Sequence, residues 1–253
     1  MTKVPKKAIV TISIGEEAQI MAEFTIPAIK AYANRVGADF ICIENRTLNT
    51  TLPAMYQKMQ IQKLLGIYDR ILYVDIDVIV TPWSKDIFSE VPGNGFCVVS
   101  VENIFKGAQN EKDSLNVALG KIQWKIPYFN SGVMLIGQQH NSVFNTTDGL
   151  ISLWEDWKKN SDSSGLNDQS ILNYRVNSRN VKVSYIDRTF NFTRAGGDFH
   201  KRFENSFIHY AGLKGRRDRM IEADLSIMKS PIKIKLLQLF PMFSKLRDYW
   251  LFK

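Results

Sequence analysis

At 253 residues, with 45% apolar and 23% charged residues, the chain has material for one large globular domain or two small ones. That composition excludes a disordered, collagenous or repeat-built protein, and no window reaches the roughly 20 apolar residues that span a bilayer. The net charge of +8 is concentrated at one end: Phe199 to Lys253 holds 12 Lys and Arg against 5 Asp and Glu, which calls for an anionic partner such as a phosphate, a lipid surface or a nucleic acid.

The opening MTKVPKKAIVTISIG lacks an apolar run long enough for a signal peptide. Lys6-Lys7 leads directly into a strand at Ala8 to Ile14, and Gly15-Glu16 starts a helix running toward Val36. Pro27 either kinks that helix or begins a second one. A strand at Asp39 to Ile43 and a helix at Pro53 to Tyr68 follow, the latter with Met55, Met59, Leu64 and Leu65 facing inward. Then comes RILYVDIDVIV, residues 70 to 80, an apolar run that reads as a strand covered on both faces. A strand at Gly95 to Val101 precedes a long irregular segment, Glu102 to Tyr128, of the length that loops reach when they are functional or mobile. A strand at Val133 to Ile136, helices at Val143 to Lys159 and Asp168 to Val176, and strands at Val181 to Ile186 and Ser206 to His209 complete the reading. The βαβαβ order implies an α/β fold with mostly parallel strands and a ligand crevice at their carboxyl ends. With no linker or repeat, residues 1–230 form one domain and 231–253 a basic tail.

Cys42 and Cys97 lie in apolar strand-like runs and read as reduced core thiols, which points to the cytoplasm. The Asn-x-Ser/Thr sequons at Asn45, Asn49, Asn145 and Asn191 are then expected to be unmodified.

Asp75 and Asp77 are the first chemical signal. Residues i and i+2 of a strand point to one side, so both carboxylates can meet one cation. Oxygen ligands suit Mg²⁺ or Mn²⁺, which commonly bridge to phosphate oxygens. An isolated Asp-x-Asp is also common at solvated strand ends, so its neighbours must decide. Lys58 lies 17 positions before Asp75 on the preceding helix. Phe129-Asn130-Ser131-Gly132 places an amide and a hydroxyl at the mouth of an apolar strand. Asn167-Asp168-Gln169 opens a helix, with Asn167 as its N-cap. His209-Tyr210-Ala211-Gly212 follows the last strand, with Lys214, Arg216 and Arg217 close behind. Singly, each has a bland explanation: a solvated lysine, a turn, a cap, a core histidine.

In this order YVDID, FNSGVMLI, NDQSILN and HYAG-LK resemble the retaining family 8 glycosyltransferases, which include glycogenin and bacterial lipopolysaccharide galactosyltransferases. The matching landmarks cover about four-fifths of the chain, from the first strand to Gly212. The resemblance implies a GT-A-type single domain, a mostly parallel mixed sheet flanked by helices, with the nucleotide crevice at the strands' carboxyl ends. It implies that Asp75, Asp77 and His209 bind Mn²⁺ (Mg²⁺ is the alternative), and that Thr11 and Ile12 hold the uracil edge. Lys58, Ile76 and Gly212 would contact the donor, while Asn130, Asp168 and Gln169 would line the donor sugar and the reacting centre. The family's Gly-x-x-Lys-Pro-Trp loop reads Gly-Leu-Lys-Gly-Arg-Arg here, so either Lys214 or Arg216 takes the diphosphate. Retention of configuration is likewise implied by the resemblance. The donor expected is a UDP-hexose, UDP-glucose or UDP-galactose, and the acceptor a saccharide or a glycolipid.

Two further segments bear on the acceptor. Residues 102 to 128 and Arg194-Ala195-Gly196-Gly197-Asp198 are candidate mobile loops beside the site. The tail PIKIKLLQLFPMFSKLRDYWLFK interleaves apolar and aromatic residues with lysines, a pattern fit for an anionic bilayer surface or for packing on the domain. Pro241 divides it into two short pieces. A sugar-nucleotide hydrolase or a nucleotidyltransferase would also want an Asp pair, but Gly15-Glu16-Glu17 is acidic where a triphosphate loop should be basic. A basic nucleic-acid-binding protein is the alternative of another class, and no recognition motif accompanies the basic residues.

Overall fold

The computed structural model describes residues 4–161, 165–212 and 217–252. Its strands are β1 (Lys7–Ile12), β2 (Asp39–Ile43), β3 (Arg70–Val74), β4 (Val78–Val80), β5 (Phe96–Ser100), β6 (Phe129–Gly137), β7 (Val183–Tyr185), β8 (Phe192–Thr193) and β9 (Phe207–His209). Six of them form one sheet in the order β2-β1-β3-β6-β5-β7. β6 alone runs against its neighbours β3 and β5; the other pairs are parallel. β4, β9 and β8 form a second, small sheet. This is the mostly parallel mixed sheet of a single α/β domain.

The helices are α1 (Glu16–Val36), α2 (Ile61–Leu64), α3 (Ile87–Glu90), α4 (Ala108–Leu119), α5 (Leu150–Asn160), α6 (Asp168–Ser178), α7 (Arg217–Met228), α8 (Pro231–Leu239) and α9 (Pro241–Phe252). α1 runs through Pro27 as one helix. Pro27 lies on its exposed side, while Met21, Ala22, Thr25, Ile29, Tyr32, Ala33 and Val36 hold the other side in the core. Gly37, left-handed at φ 64°, ends it by donating its N–H to the last turn. Alternate residues of the central strands feed two apolar layers. Val10, Ile71, Tyr73, Met134 and Ile136 pack under α5 and α6, and Ile9, Leu72, Val74, Val133 and Leu135 pack toward α1 and α3.

Four sequence-based expectations change. The segment from 102 to 128 is not irregular throughout: α4 occupies twelve of its residues. Its buried positions Ala108, Lys112 and Leu115 follow helical spacing, but a polar face and the flanking glycines Gly107 and Gly120 obscure the pattern. The helix expected at 53–68 is a 3₁₀ segment, Ala54–Gln60, continued by the single turn of α2, and Met55 faces outward. The helix expected at 143–159 begins only at Leu150, because Gly149 at φ 74° separates it from a 3₁₀ segment. The apolar run at 70–80 is two strands in two sheets, joined by a turn at Asp75 to Asp77 in which the Val78 N–H donates to the Asp75 carbonyl at 3.1 Å.

α8 packs on the domain through Ile234 and Leu237, and α9 through a buried charged cluster. The Arg202 guanidinium, with no exposed surface, donates to Asp224 and to Asp248 of α9, at 2.8 Å for Nη2 to the Asp248 Oδ1. Arg247 and the Tyr210 hydroxyl complete the set on Asp224. Removing one partner from such a cluster strands a buried charge, at a cost of about 3–5 kcal/mol. Arg202→Met should therefore lose about 3–5 kcal/mol in urea unfolding, whereas Lys233→Met on the exposed side of α8 should change stability by less than about 0.5 kcal/mol.

Candidate active site

The site is built where β3 hands the chain to β4. Antiparallel pairing of β3 with β6 sets Val74 opposite Val133, and the Asp75 N–H donates to the Gly132 carbonyl at 2.7 Å. This brings Asn130, Ser131 and Gly132 alongside Asp75. Pairing of β4 with β9 sets Val78 opposite His209, and the Tyr210 N–H donates to the Asp77 carbonyl at 3.0 Å. Asp75, Asp77 and the sequence-distant His209 thereby present ligand atoms within 4.8 Å of one another. The i/i+2 alternation of a strand is not what aligns the carboxylates; the turn is.

Gly132 is required by this approach. A Cβ there would lie 2.2 Å from Cε1 of His209 and 2.8 Å from Oδ2 of Asp75. Glycine is thus a steric necessity at a backbone angle that other residues could adopt.

Hydrogen bonds assign the orientation of every amide around the histidine. The Gly132 N–H donates to Oδ1 of Asn130 at 2.9 Å, and the Ser131 N–H donates to Oε1 of Gln169 at 3.2 Å. Backbone N–H groups can only donate, so both oxygens are placed. Asn130 Nδ2 then donates to Gln169 Oε1 at 3.0 Å, and Asn191 Nδ2 donates to Asn130 Oδ1 at 2.9 Å. Oδ1 of Asn191 is left facing Nδ1 of His209 at 2.8 Å, so Nδ1 carries the proton. In the neutral ring, Nε2 then offers its lone pair toward the two carboxylates, the tautomer a metal ligand needs.

A second chain of contacts neutralises the acids. Lys58 Nζ, 2% exposed, lies 2.6 Å from Oδ2 of Asp168 and 3.3 Å from Oδ1 of Asp75, and donates to the Ser131 carbonyl at 3.1 Å. Burial disfavours its ammonium form, but Asp168 and Asp75 outweigh burial and hold it above the usual lysine range. The Ser131 hydroxyl donates to Asp168 and the Tyr73 hydroxyl to Asp75. Asp77 meets His209 Nε2 at 3.2 Å and Arg217 Nη1 at 2.9 Å. Burial alone would raise the Asp77 carboxyl, yet His209 and Arg217 depress it well below the usual carboxylate range. Burial likewise opposes the His209 imidazolium, but Asp77 and then Asp75 prevail and raise it.

A cleft of about 660 Å³ lies on one side of the Asp pair, lined by Asn130, Asp168, Gln169, Thr193, Arg194 and Gly212 among others. On the other side a cleft of about 480 Å³ is lined by Ile12, Ile14, Arg46, Lys58 and Ile76. Asp75, Asp77, Asp168 and Arg217 border both. Thr11 is fully buried beneath Ile12, borders neither cleft, and its hydroxyl has no hydrogen-bond partner among the described residues. Lys214 and Arg216 lie outside the described residues.

The model of the family described as glycosyl transferase family 8 matches residues 18–215. The chain belongs to family 8. No curated protein matches its sequence. Its fold is similar to that of the galactosyltransferase LgtC, solved with donor and acceptor sugar analogues, at 18% identity and a TM-score of 0.56 over 88% of this chain and 95% of that one. A glycosyltransferase involved in glycosylating the major capsid of PBCV-1 aligns at 18% identity and a TM-score of 0.55, over 87% of this chain and all of that one. GlyE of Streptococcus pneumoniae TIGR4 aligns at 18% identity and a TM-score of 0.53, over 95% of this chain and 64% of that one. This family 8 chain is accordingly a glycosyltransferase with a GT-A-like fold.

Several expectations about the family 8 site need amending. Asn167 stands at the N-cap of α6, but its side chain does not cap; it accepts from Lys158 and donates to Met55 Sδ. The loop 194–198 is tied down by the Arg188–Asp198 pair at 2.9 Å, and Gly196 leaves room for the Arg188 guanidinium, which a Cβ would overlap at 2.2 Å. Sequence alone gives Asn191 and Tyr73 no part in the site, and marks Ser131 and Arg217 only as a hydroxyl at a strand mouth and a basic residue behind Gly212. Asn191 appeared there only as a sequon; it is 1% exposed with its amide engaged, which closes it to glycosylation.

Gly132→Ala should lower transferase activity at least a hundredfold and cost about 1–3 kcal/mol of stability, by forcing His209 from Asp75. Activity assays paired with thermal unfolding would check both figures, and Gly66→Ala, whose Cβ meets only one backbone oxygen at 3.4 Å, is the matched control.

Proposed function

We propose that the protein transfers a hexose from a UDP-sugar to a saccharide or glycolipid acceptor, with retention of configuration and with a bound divalent cation, Mn²⁺ in preference to Mg²⁺. The observation that carries this reading is the meeting of two clefts at the Asp75–Asp77 pair, with His209 beside it on the larger one. A donor whose two ends differ in chemistry needs that arrangement. The 480 Å³ side, with Ile12, Ile14 and Arg46, suits a nucleoside; the 660 Å³ side, with amides and carboxylates, suits sugar hydroxyls.

The residues fit the cation. Two carboxylates and one imidazole converge, Gly132 leaves the space open, and the Asn191 contact sets the correct ring nitrogen toward it. Asp75, Asp77 and His209 would hold the ion. When bound, it supplies positive charge against the departing diphosphate.

The remaining chemistry belongs to the chain. Asp168 spends Oδ2 on Lys58 and Ser131, which leaves Oδ1 to accept from a donor-sugar hydroxyl. Gln169 commits Oε1 to Asn130 and Ser131 and its amide also meets the Tyr128 hydroxyl, which leaves one N–H to orient the sugar. Neither is a competent covalent nucleophile: one is a carboxylate clamped by an ammonium at 2.6 Å, the other an amide. Attack by the acceptor hydroxyl on the leaving-group face, with its proton passing to the departing phosphate oxygen, is consistent with both. Asp168 and Gln169 would then stabilise the oxocarbenium character from the opposite face.

The acceptor is proposed to be membrane-linked. Among the described residues no helix is long and apolar enough to cross a membrane, so contact would be peripheral. α8 and α9 expose Ile232, Leu239, Phe240, Met242, Phe243 and Trp250, each at least half accessible. Lys233, Lys235 and Lys245 are exposed beside them, while the acidic Asp248 is turned inward to Arg202. An apolar face bordered by lysines alone suits an anionic bilayer surface.

Calorimetric titration of UDP-glucose, UDP-galactose and GDP-mannose, with and without Mn²⁺, tests the donor. Binding of a UDP-hexose that requires Mn²⁺ and disappears in Asp77→Ala is expected; metal-independent binding, or none, would refute the reading. Co-sedimentation with vesicles tests the membrane contact. Phosphatidylserine-containing vesicles should retain the protein at low salt, neutral phosphatidylcholine vesicles should not, and Trp250→Ser with Phe243→Ser should release it.

A further inference from the structure

We propose that Arg217 is a counter-ion that occupies the metal site's charge until the donor arrives, then moves to the donor's diphosphate. This rests on the metal and UDP-sugar reading above and adds how binding of the metal and of the nucleotide are coupled.

Three carboxylates, Asp75, Asp77 and Asp168, crowd one junction, and among the described residues Lys58 and Arg217 are the lysine and arginine that answer them directly. Both oxygens of Asp77 are committed: Oδ1 to His209 Nε2 at 3.2 Å and Oδ2 to Arg217 Nη1 at 2.9 Å. A divalent cation entering between Asp75, Asp77 and His209 would stand beside the Arg217 guanidinium on a shared carboxylate. At such separation in a partly dry site, two positive charges repel strongly. Metal alone should therefore bind weakly, because it must first expel Arg217.

Arg217 has somewhere else to go. It opens α7, borders both clefts, and its side chain keeps about a quarter of its surface exposed. Lys58, by contrast, is sealed among Asp168, Asp75 and Ser131 and cannot leave. The planar fork of an arginine matches two phosphate oxygens as well as it matches a carboxylate. A diphosphate arriving with the metal supplies the negative charge that both cations need, so metal and nucleotide should bind cooperatively. The parked position has an outer anchor as well: Arg217 Nη2 lies 2.6 Å from Oε1 of Glu17, 200 positions away on the first turn of α1. Glu17 is mostly exposed and has no other assigned part in the site. It acts as the rest for the guanidinium in the donor-free state.

The test is Mn²⁺ binding by electron paramagnetic resonance, without and with saturating UDP, on the full chain and on Arg217→Met and Glu17→Gln. In the wild type, UDP should tighten Mn²⁺ binding at least tenfold. Arg217→Met should tighten binding of Mn²⁺ alone by about tenfold, because Asp77 is freed, and should abolish most of the gain from UDP. Opposite movement of the two affinities is a result that a merely structural arginine would not produce. Glu17→Gln, a substitution at a mostly exposed position, should tighten bare Mn²⁺ binding and UDP binding in Mn²⁺ alike, each by about two- to fivefold, as loss of one exposed anchor of the parked arginine allows. If Arg217→Met leaves both affinities unchanged, or weakens both, while the wild type shows UDP-dependent Mn²⁺ binding, the counter-ion role is overturned and the donor reading stands. If the wild type binds neither Mn²⁺ nor UDP, the donor reading falls and this inference falls with it.

Discussion

The handover of one chain between two sheets is the constraint on which the site depends. β3 must end at Val74 and β4 begin at Val78, so that one flank of the turn pairs with β6 and the other with β9. Asp75 to Asp77 are the residues left over between those pairings. Their backbone is held at both ends by partners from distant segments, Gly132 and Tyr210. Any shift of register in either sheet would separate the aspartates from His209 and from the Asn130–Gly132 segment together. The core layers on both faces of the central sheet, buried on Ile71, Leu72, Tyr73 and Val74, make such slippage expensive.

Such a site concentrates negative charge in a place with little water, and much of its surroundings can be understood as compensation. Lys58 is buried among Asp75, Asp168 and Ser131. Its ammonium does for Asp168 what solvent would do at the surface. Arg217 does the same for Asp77, but from an exposed helix end. The difference in burial separates a fixed counter-ion from a mobile one. The amide chain from Gln169 through Asn130 and Asn191 to His209 adds direction: two backbone N–H groups determine every flip in it, so the imidazole nitrogen facing the acids is set by the main chain of β6.

The C-terminal helices repeat the theme at a distance from the chemistry. Arg202 draws Asp248 inward, so α9 is anchored by its one acidic residue and turns Lys245 and apolar side chains outward. Packing on the domain and exposure of a basic, apolar face are therefore not alternatives. The same helix does both, because its two faces carry different residue types.

Much of this was written in local sequence. The apolar runs of β1, β3 and β6 required a buried sheet whatever surrounded them, since that many Val, Ile and Leu side chains have no other stable place. The order of Asp75, Asp77, Asn130, Asp168, Gln169 and His209 was enough to suggest the family and a cation-holding site. What local pattern could not convey was every relation between segments. α4 was missed because a half-polar helix between glycines looks like loop until its partners are known. Asn191 and Arg217 carry no local mark, since an asparagine in a sequon and an arginine in a basic stretch gain their meaning only from what folding sets beside them. Sequence by itself determined which side chains were available and which strands had to be buried, because those depend on composition and period. Tertiary structure alone decided which atoms meet, because the approach of His209 to Gly132, so close that a Cβ would lie 2.2 Å from Cε1, and a single register between β4 and β9 are properties of pairings, which no single segment contains.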